Sequence, residues 1–138
     1  MNEKKDWNKL IIEEFRANNG KVGGHFKNTP LLLLHTTGAK SGQPRLNPAA
    51  YISDGDRLVI VASKGGAPTN PDWYYNLVAN PQVSVEVGFE QFKTLATVTE
   101  EPERSVLFEK MAVKNPGFAE YPQKTTRVIP VVSLTRLP

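Results

Sequence analysis

The first apolar positions of the chain recur at helical spacing. Over 4–17, KKDWNKLIIEEFRA, residues Trp7, Leu10, Ile11 and Phe15 fall on one face, which predicts an amphipathic helix, and Asn18-Asn19-Gly20 supplies its stop. After a glycine-rich connection the period changes. Leu31 to Thr36 is a short apolar run that reads as a buried strand. Leu46 to Ser53 and Arg57 to Ser63 flank Asp54-Gly55-Asp56, a strong hairpin signal. Asn70-Pro71 reads as an N-cap followed by proline at the first helical position, with PDWYYNLVAN as a short helix. Val83, Val85 and Val87 alternate with Gln82, Ser84 and Glu86, the pattern of a half-buried strand. Gly88-Phe89-Glu90 then turns the chain into the strand QFKTLATVT. Thr99 is expected to cap a helix over 100–114, with Val106, Leu107 and Met111 on one face. Beyond a proline-rich link, Arg127 to Arg136 forms a final strand interrupted by Pro130, which predicts an edge or a bulge.

Hairpin signals dominate, and the strand–helix–strand alternation of a parallel sheet is missing. The pattern predicts an α+β fold, a small antiparallel barrel or half-barrel of about six strands with flanking helices. The 138 residues suffice for a core of their own and read as one domain, with 1–20 as N-terminal helix and connection.

Composition narrows the chemistry. Cysteine is absent, which excludes disulfides, zinc–thiolate sites, iron–sulfur clusters and a cysteine nucleophile. The two histidines, His25 and His35, stand in no metal-binding spacing, so no metal is expected; His35, inside an apolar strand, reads as a core histidine. The start, MNEKKDWNKL, is charged where a signal peptide needs an apolar run, and no apolar stretch approaches bilayer length. A cytoplasmic protein is expected.

The net charge of +3 is local: five basic residues face two acidic ones between Gly23 and Pro71, and the remainder balances. A concentrated surplus of this size suits a small anionic ligand rather than nucleic acid. Two glycine-lysine-serine clusters lie in that region. TTGAKSGQPR follows the first strand, and ASKGG ends the third. Their glycines bring backbone N–H groups close to a ligand, while Lys40, Ser41, Arg45, Ser63 and Lys64 add donors. Either loop alone reads better as a solvated turn; the two together point to an anion site without naming the anion. Trp73, Tyr74 and Tyr75 follow and cannot share one helical face; at least one points away from the core, either as a partly exposed tyrosine or as an aromatic wall beside a planar ligand with Asn76 as a polar neighbour.

The motifs LLLLHTTGAKSGQPR, VASKGGA, NPDWYYNL and TRVIPVV, in this order over roughly 20–135, resemble the deazaflavin (F420)-dependent nitroreductase family of split β-barrels. The resemblance implies reduced F420 as hydride donor, a cofactor with a planar ring and an anionic phosphodiester and polyglutamate tail. It implies that Lys40, Ser41, Gly42 and Arg45 hold the phosphate and tail, and that Ser63, Lys64, Gly65 and Gly66 lie near phosphate and ring. Pro48, Ala49 and Ala62 then flank the ring, and Trp73 and Asn76 belong to a helix that covers it. Arg127 matches the family arginine before the last strand, where an ordinary hairpin ion pair is the competing role. Ser63 and Tyr121 are the implied catalytic donors to a developing oxyanion on a quinone, enone or nitro acceptor.

One loop departs from the family pattern. In KNPGFAEYPQKTTR, Asn115 and Phe118 stand where members that reduce nitroimidazoles carry tyrosines, and only Tyr121 remains. A lost hydroxyl removes both a polar contact and a proton donor. A non-catalytic F420 carrier and an FMN oxidoreductase on the same barrel stay open as alternatives. Expected partners are a small-molecule acceptor such as a quinone. A homodimer is a further expectation; the N-terminal helix reads as docking Trp7, Leu10, Ile11 and Phe15 on the barrel, with a peripheral contact with the inner membrane face as the alternative.

Overall fold

The computed structural model describes residues 3–23 and 29–138, the side chains of 3–7 excepted. His25 and the Trp7 side chain lie outside the described residues. The elements are α1 (Glu3–Ala17), β1 (Leu31–Thr37), β2 (Pro44–Asp54), β3 (Arg57–Val61), α2 (Asp72–Ala79), β4 (Gln82–Val87), β5 (Glu90–Val98), α3 (Glu103–Lys114) and β6 (Val131–Arg136). The strands close a barrel in the order β1-β2-β3-β6-β5-β4, with β4 pairing back onto β1 and every pair antiparallel. This is the small antiparallel barrel that the hairpin signals predict.

The four consecutive leucines of β1 have a two-sided explanation. Side chains alternate across a strand, so Leu32 and Leu34 enter the barrel interior with Ile60, Val83, Val85, Val132 and Leu134. Leu31 and Leu33 point outward and are covered by Ile11 and Phe15 of α1. β3 repeats the device: Ile60 faces inward, while Val59 and Val61 meet Leu107 and Met111 of α3. A strand covered on both faces loses the apolar–polar alternation. α2 adds Trp73 and Leu77 to the interior cluster. At the β2–β3 hairpin, Asp54 pairs with Arg57, leaving Gly55-Asp56 as a two-residue loop. Gly55 at φ 61 takes the left-handed first position that such a turn requires.

Four sequence expectations are corrected. Asn70 does not cap α2, whose N-cap is Pro71 without a side-chain hydrogen bond; the Asn70 carboxamide instead accepts from Arg127. Thr99 does not cap α3, which starts after Pro102; its hydroxyl donates to the Val131 carbonyl at 2.8 Å, tying β5 to β6. Val106 is exposed, and the buried face of α3 runs through Leu107 and Met111. Pro130 interrupts no strand, because β6 begins after it and is paired on both sides, so it is not an edge. The Pro130 carbonyl still accepts the Ala62 N–H at 2.9 Å, a bond that needs no donor from proline.

Candidate active site

A cleft of ≈480 Å³ opens between the barrel and the segment after α3. β2 contributes Pro48, Ala49 and Ala50, a run of small side chains that leaves room beside the sheet. Ser63, Lys64 and Gly65 line it from the turn after β3, and Trp73 lines it from the first turn of α2. The remaining wall holds Asn115, Phe118 and Tyr121, the last two from a 3₁₀ helix over Pro116–Gln123. Their rings meet edge to face at 5.1 Å.

The turn after β3 is unusual in its backbone. Lys64, Gly65 and Gly66 have φ of 48, 64 and 84, three left-handed residues in succession. For lysine this conformation costs on the order of 1–3 kcal/mol, and it persists only where its surroundings impose it. Arg127 bonds the chain on both sides of Lys64. Its Nη2 donates to the Ser63 carbonyl at 2.6 Å, its Nε to the Ala67 carbonyl at 2.8 Å, and its Nη1 to the Ala62 carbonyl at 3.2 Å and Asn70 Oδ1 at 2.6 Å. Gly66 is fixed from the other side, since a Cβ there would stand 2.9 Å from Lys124 Cβ and 3.2 Å from the Tyr121 carbonyl. Its N–H is engaged by the Ser63 carbonyl.

The other cluster forms the β1–β2 hairpin loop. Its amides are largely engaged within the protein: Gly38 N–H by the Gln43 carbonyl, Gly42 N–H by the Gly38 carbonyl, and Gln43 N–H by Ser41 Oγ. The Ala39 N–H reaches Asn76 Oδ1 at 2.9 Å. What the loop presents outward is its side chains, and Lys40 and Arg45 are both exposed. Arg45 makes only long contacts, to Ser41 Oγ at 3.4 Å and the Pro44 carbonyl at 3.5 Å.

Two cations, Lys64 and Lys114, line the cleft. Among the described residues, Arg16, Arg57, Arg104, Lys110 and Arg136 each have a carboxylate within ion-pair distance. Lys64 and Lys114 have none, and neither do Lys40, Arg45 and Arg127, nor Lys9, Lys21, Lys93 and Lys124; Lys64 donates only to the Thr69 hydroxyl, at 3.2 Å. Burial lowers the pKa of the Arg127 guanidinium, yet arginine keeps its charge in proteins. Un-neutralised cations beside a cleft of small and aromatic side chains fit a ligand with a planar part and an anionic part.

Of the residues singled out in the sequence, the structure brings Pro48, Ala49, Ser63, Lys64, Gly65, Trp73 and Tyr121 together in the cleft. Lys40, Ser41, Gly42 and Arg45 lie apart from its lining, on the hairpin loop and the start of β2. Ala62, Gly66 and Asn76 are buried behind the lining. Arg127 is an internal brace without a carboxylate partner, in place of the hairpin ion pair weighed above. Asn115 and Phe118, the two departures from the family's tyrosines, also line the cleft, as do Ala50 and Pro71, which the sequence does not mark as site residues.

A family model described as F420H(2)-dependent quinone reductase matches residues 7–136. An F420H(2)-dependent quinone reductase of Mycobacterium tuberculosis is 44% identical over 126 residues, covering 88% of this chain and 85% of that protein. A solved F420-H2 dependent reductase superposes with a TM-score of 0.71 at 40% identity, over 81% of this chain and 99% of the other. A second solved structure, a domain-swapped dimer, gives 0.72 at 37% identity over 95% and 98%. With the family model spanning nearly the whole barrel and relatives this similar along it, the chain belongs to the F420H(2)-dependent quinone reductase family.

Proposed function

We propose that the protein binds reduced F420 in the cleft and passes its hydride to a quinone. The observation that carries this reading is a cleft lined by small residues and Trp73 whose two lining cations, Lys64 and Lys114, have no carboxylate partner among the described residues, with the exposed Lys40 and Arg45 on the β1–β2 loop beyond the lining. When bound, reduced F420 supplies a hydride. Pro48, Ala49 and Trp73 would bound the ring, Lys64 and Gly65 the phosphate region, and Lys40 and Arg45 the outer tail. Ser63 and Tyr121 would donate hydrogen bonds to the acceptor oxygen as it gains charge. Phe118, against Tyr121, keeps that side apolar and excludes water.

Quinone chemistry also bears on location. We propose a cytoplasmic protein that meets membrane-borne quinones peripherally. No described helix is long and apolar enough to cross a membrane, and α1 buries Ile11 and Phe15 while Leu10 stays 61% exposed. The domain-swapped relative supports a homodimer as the proposed assembly.

The test is titration of the purified protein with F420 and with FMN, followed by turnover of menadione with reduced F420. F420 binding with menadione turnover is the expected result. Preference for FMN would overturn the cofactor assignment, and F420 binding without turnover of any quinone would make the protein a carrier.

A further inference from the structure

We propose that Arg127 is a positioning residue for the reaction: it holds the Ser63–Gly66 turn in its left-handed form and thereby presents Lys64 to the anionic part of the cofactor. The inference rests on the F420 reading above. Three observations carry it. Arg127 donates to the carbonyls of Ala62, Ser63 and Ala67, so its planar fork spans the turn from its first residue to its last. Lys64 at φ 48 holds a conformation that lysine adopts only under constraint. Lys64 also lines the cleft, and among the described residues no carboxylate competes for its ammonium.

The arrangement has a second effect. Arg127 follows the segment that carries Phe118 and Tyr121, and Gly66 abuts Lys124 and the Tyr121 carbonyl. The turn with Lys64 and the wall with Tyr121 are therefore fastened to each other. Loss of the guanidinium lets Lys64 relax toward negative φ, which swings its ammonium away from the cleft. Lysine cannot substitute fully, because a single ammonium lacks the rigid fork that meets three separated carbonyls.

A double-mutant cycle on the full chain tests this, with F420 affinity measured for the wild type, Arg127→Gln, Lys64→Ala and the pair. Arg127→Gln is expected to weaken F420 binding roughly 10-fold or more, which is about 1.4 kcal/mol. In the Lys64→Ala background the same change is expected to cost less than about 3-fold, because the residue acts through Lys64. A merely structural brace gives the full loss in both backgrounds, and that result overturns the proposal. Should Arg127→Gln fail to fold, Arg127→Lys takes its place in the cycle with the same expected and overturning outcomes. A wild type that does not bind F420 rejects the cofactor reading itself, whereas a wild type that binds F420 alongside unaffected Arg127 variants rejects only this inference.

Discussion

The Asn76 carboxamide on α2 donates from Nδ2 to the Thr36 hydroxyl of β1 at 3.1 Å, while its Oδ1 accepts the Ala39 N–H at 2.9 Å. One buried side chain thus ties α2 to the root of the hairpin loop that carries Lys40. Asn76→Ala removes the partner of the buried Thr36 hydroxyl and of the part-buried Ala39 N–H, at a cost of about 1–3 kcal/mol. Urea unfolding should show that loss, and F420 titration should show weaker binding because the Lys40 loop is no longer held. Unchanged stability would refute the buried-bond assignment.

Lys40 and Arg45 lie outside the enclosed part of the cleft, so their proposed target is the cofactor's outer, anionic end. Charge-assisted bonds contribute about 1.5–3 kcal/mol each. Lys40→Ala or Arg45→Ala should therefore weaken F420 binding by roughly 10-fold or more and leave folding nearly intact. The truncated ligand FO, which lacks phosphate and glutamates, is the control. Equal losses for FO and F420 would show that the loop does not read the tail. Added salt should weaken the wild type more than either variant.

Gly66→Ala combines a left-handed backbone, φ 84, with a Cβ 2.9 Å from Lys124 Cβ. The neighbouring 3₁₀ segment must shift to admit it, and destabilisation of about 1–3 kcal/mol is expected. Because that segment carries Tyr121 and Phe118, KM for menadione should rise as well. A variant with wild-type melting and wild-type KM would show that turn and wall are not fastened together.

Glu86 on β4 accepts a two-pronged bond from Arg16 of α1, at 3.1 and 2.8 Å, and lies 2.6 Å from His35 Nε2. Hydrogen bonding from Arg16 first, and His35 after it, lowers the Glu86 pKa against the opposing effect of burial. A carboxylate with a depressed folded-state pKa adds stability above its unfolded pKa of about 4.3 and loses it as pH falls through the lower folded value. The urea midpoint should drop on acidification below about pH 4.3, and Glu86→Gln should flatten part of that decline. Asp54 and Glu101, also lowered by their bonded neighbours, should supply the remainder. An unchanged acid limb in Glu86→Gln would exclude the Arg16 contact as its source.

Much of this architecture is legible in short-range pattern. Hairpin chemistry at Asp54-Gly55-Asp56 and valine alternation in β4 locate strands because both are local. The doubled leucines of β1 signal a buried strand, but the two layers that bury it, the barrel interior and α1, are visible only once the barrel closes. Thr99 and Asn70 look like caps because caps are local signals; each is drawn off by a partner in β6 or just before it, Val131 and Arg127. The cleft residues Ser63, Lys64 and Trp73 stand out by composition. Arg127 is marked only by the family resemblance, and its bracing role is not legible: three of its four acceptors are backbone carbonyls 60 to 65 residues away, which carry no sequence signature, and the fourth is the Asn70 carboxamide.

The position of β6 between β3 and β5 sets a condition on biosynthesis. β6 is translated after every other described strand, so a nascent chain holds two unpaired edges, on β3 and β5, until β6 has emerged. Both edges accept any chain with the β6 sequence, including one emerging from a neighbouring ribosome on the same message. Closing the barrel from within therefore competes with exchange between chains, since an exposed strand edge is a template for a second copy. The order of the strands along the chain thus makes β6 the piece that another copy could supply.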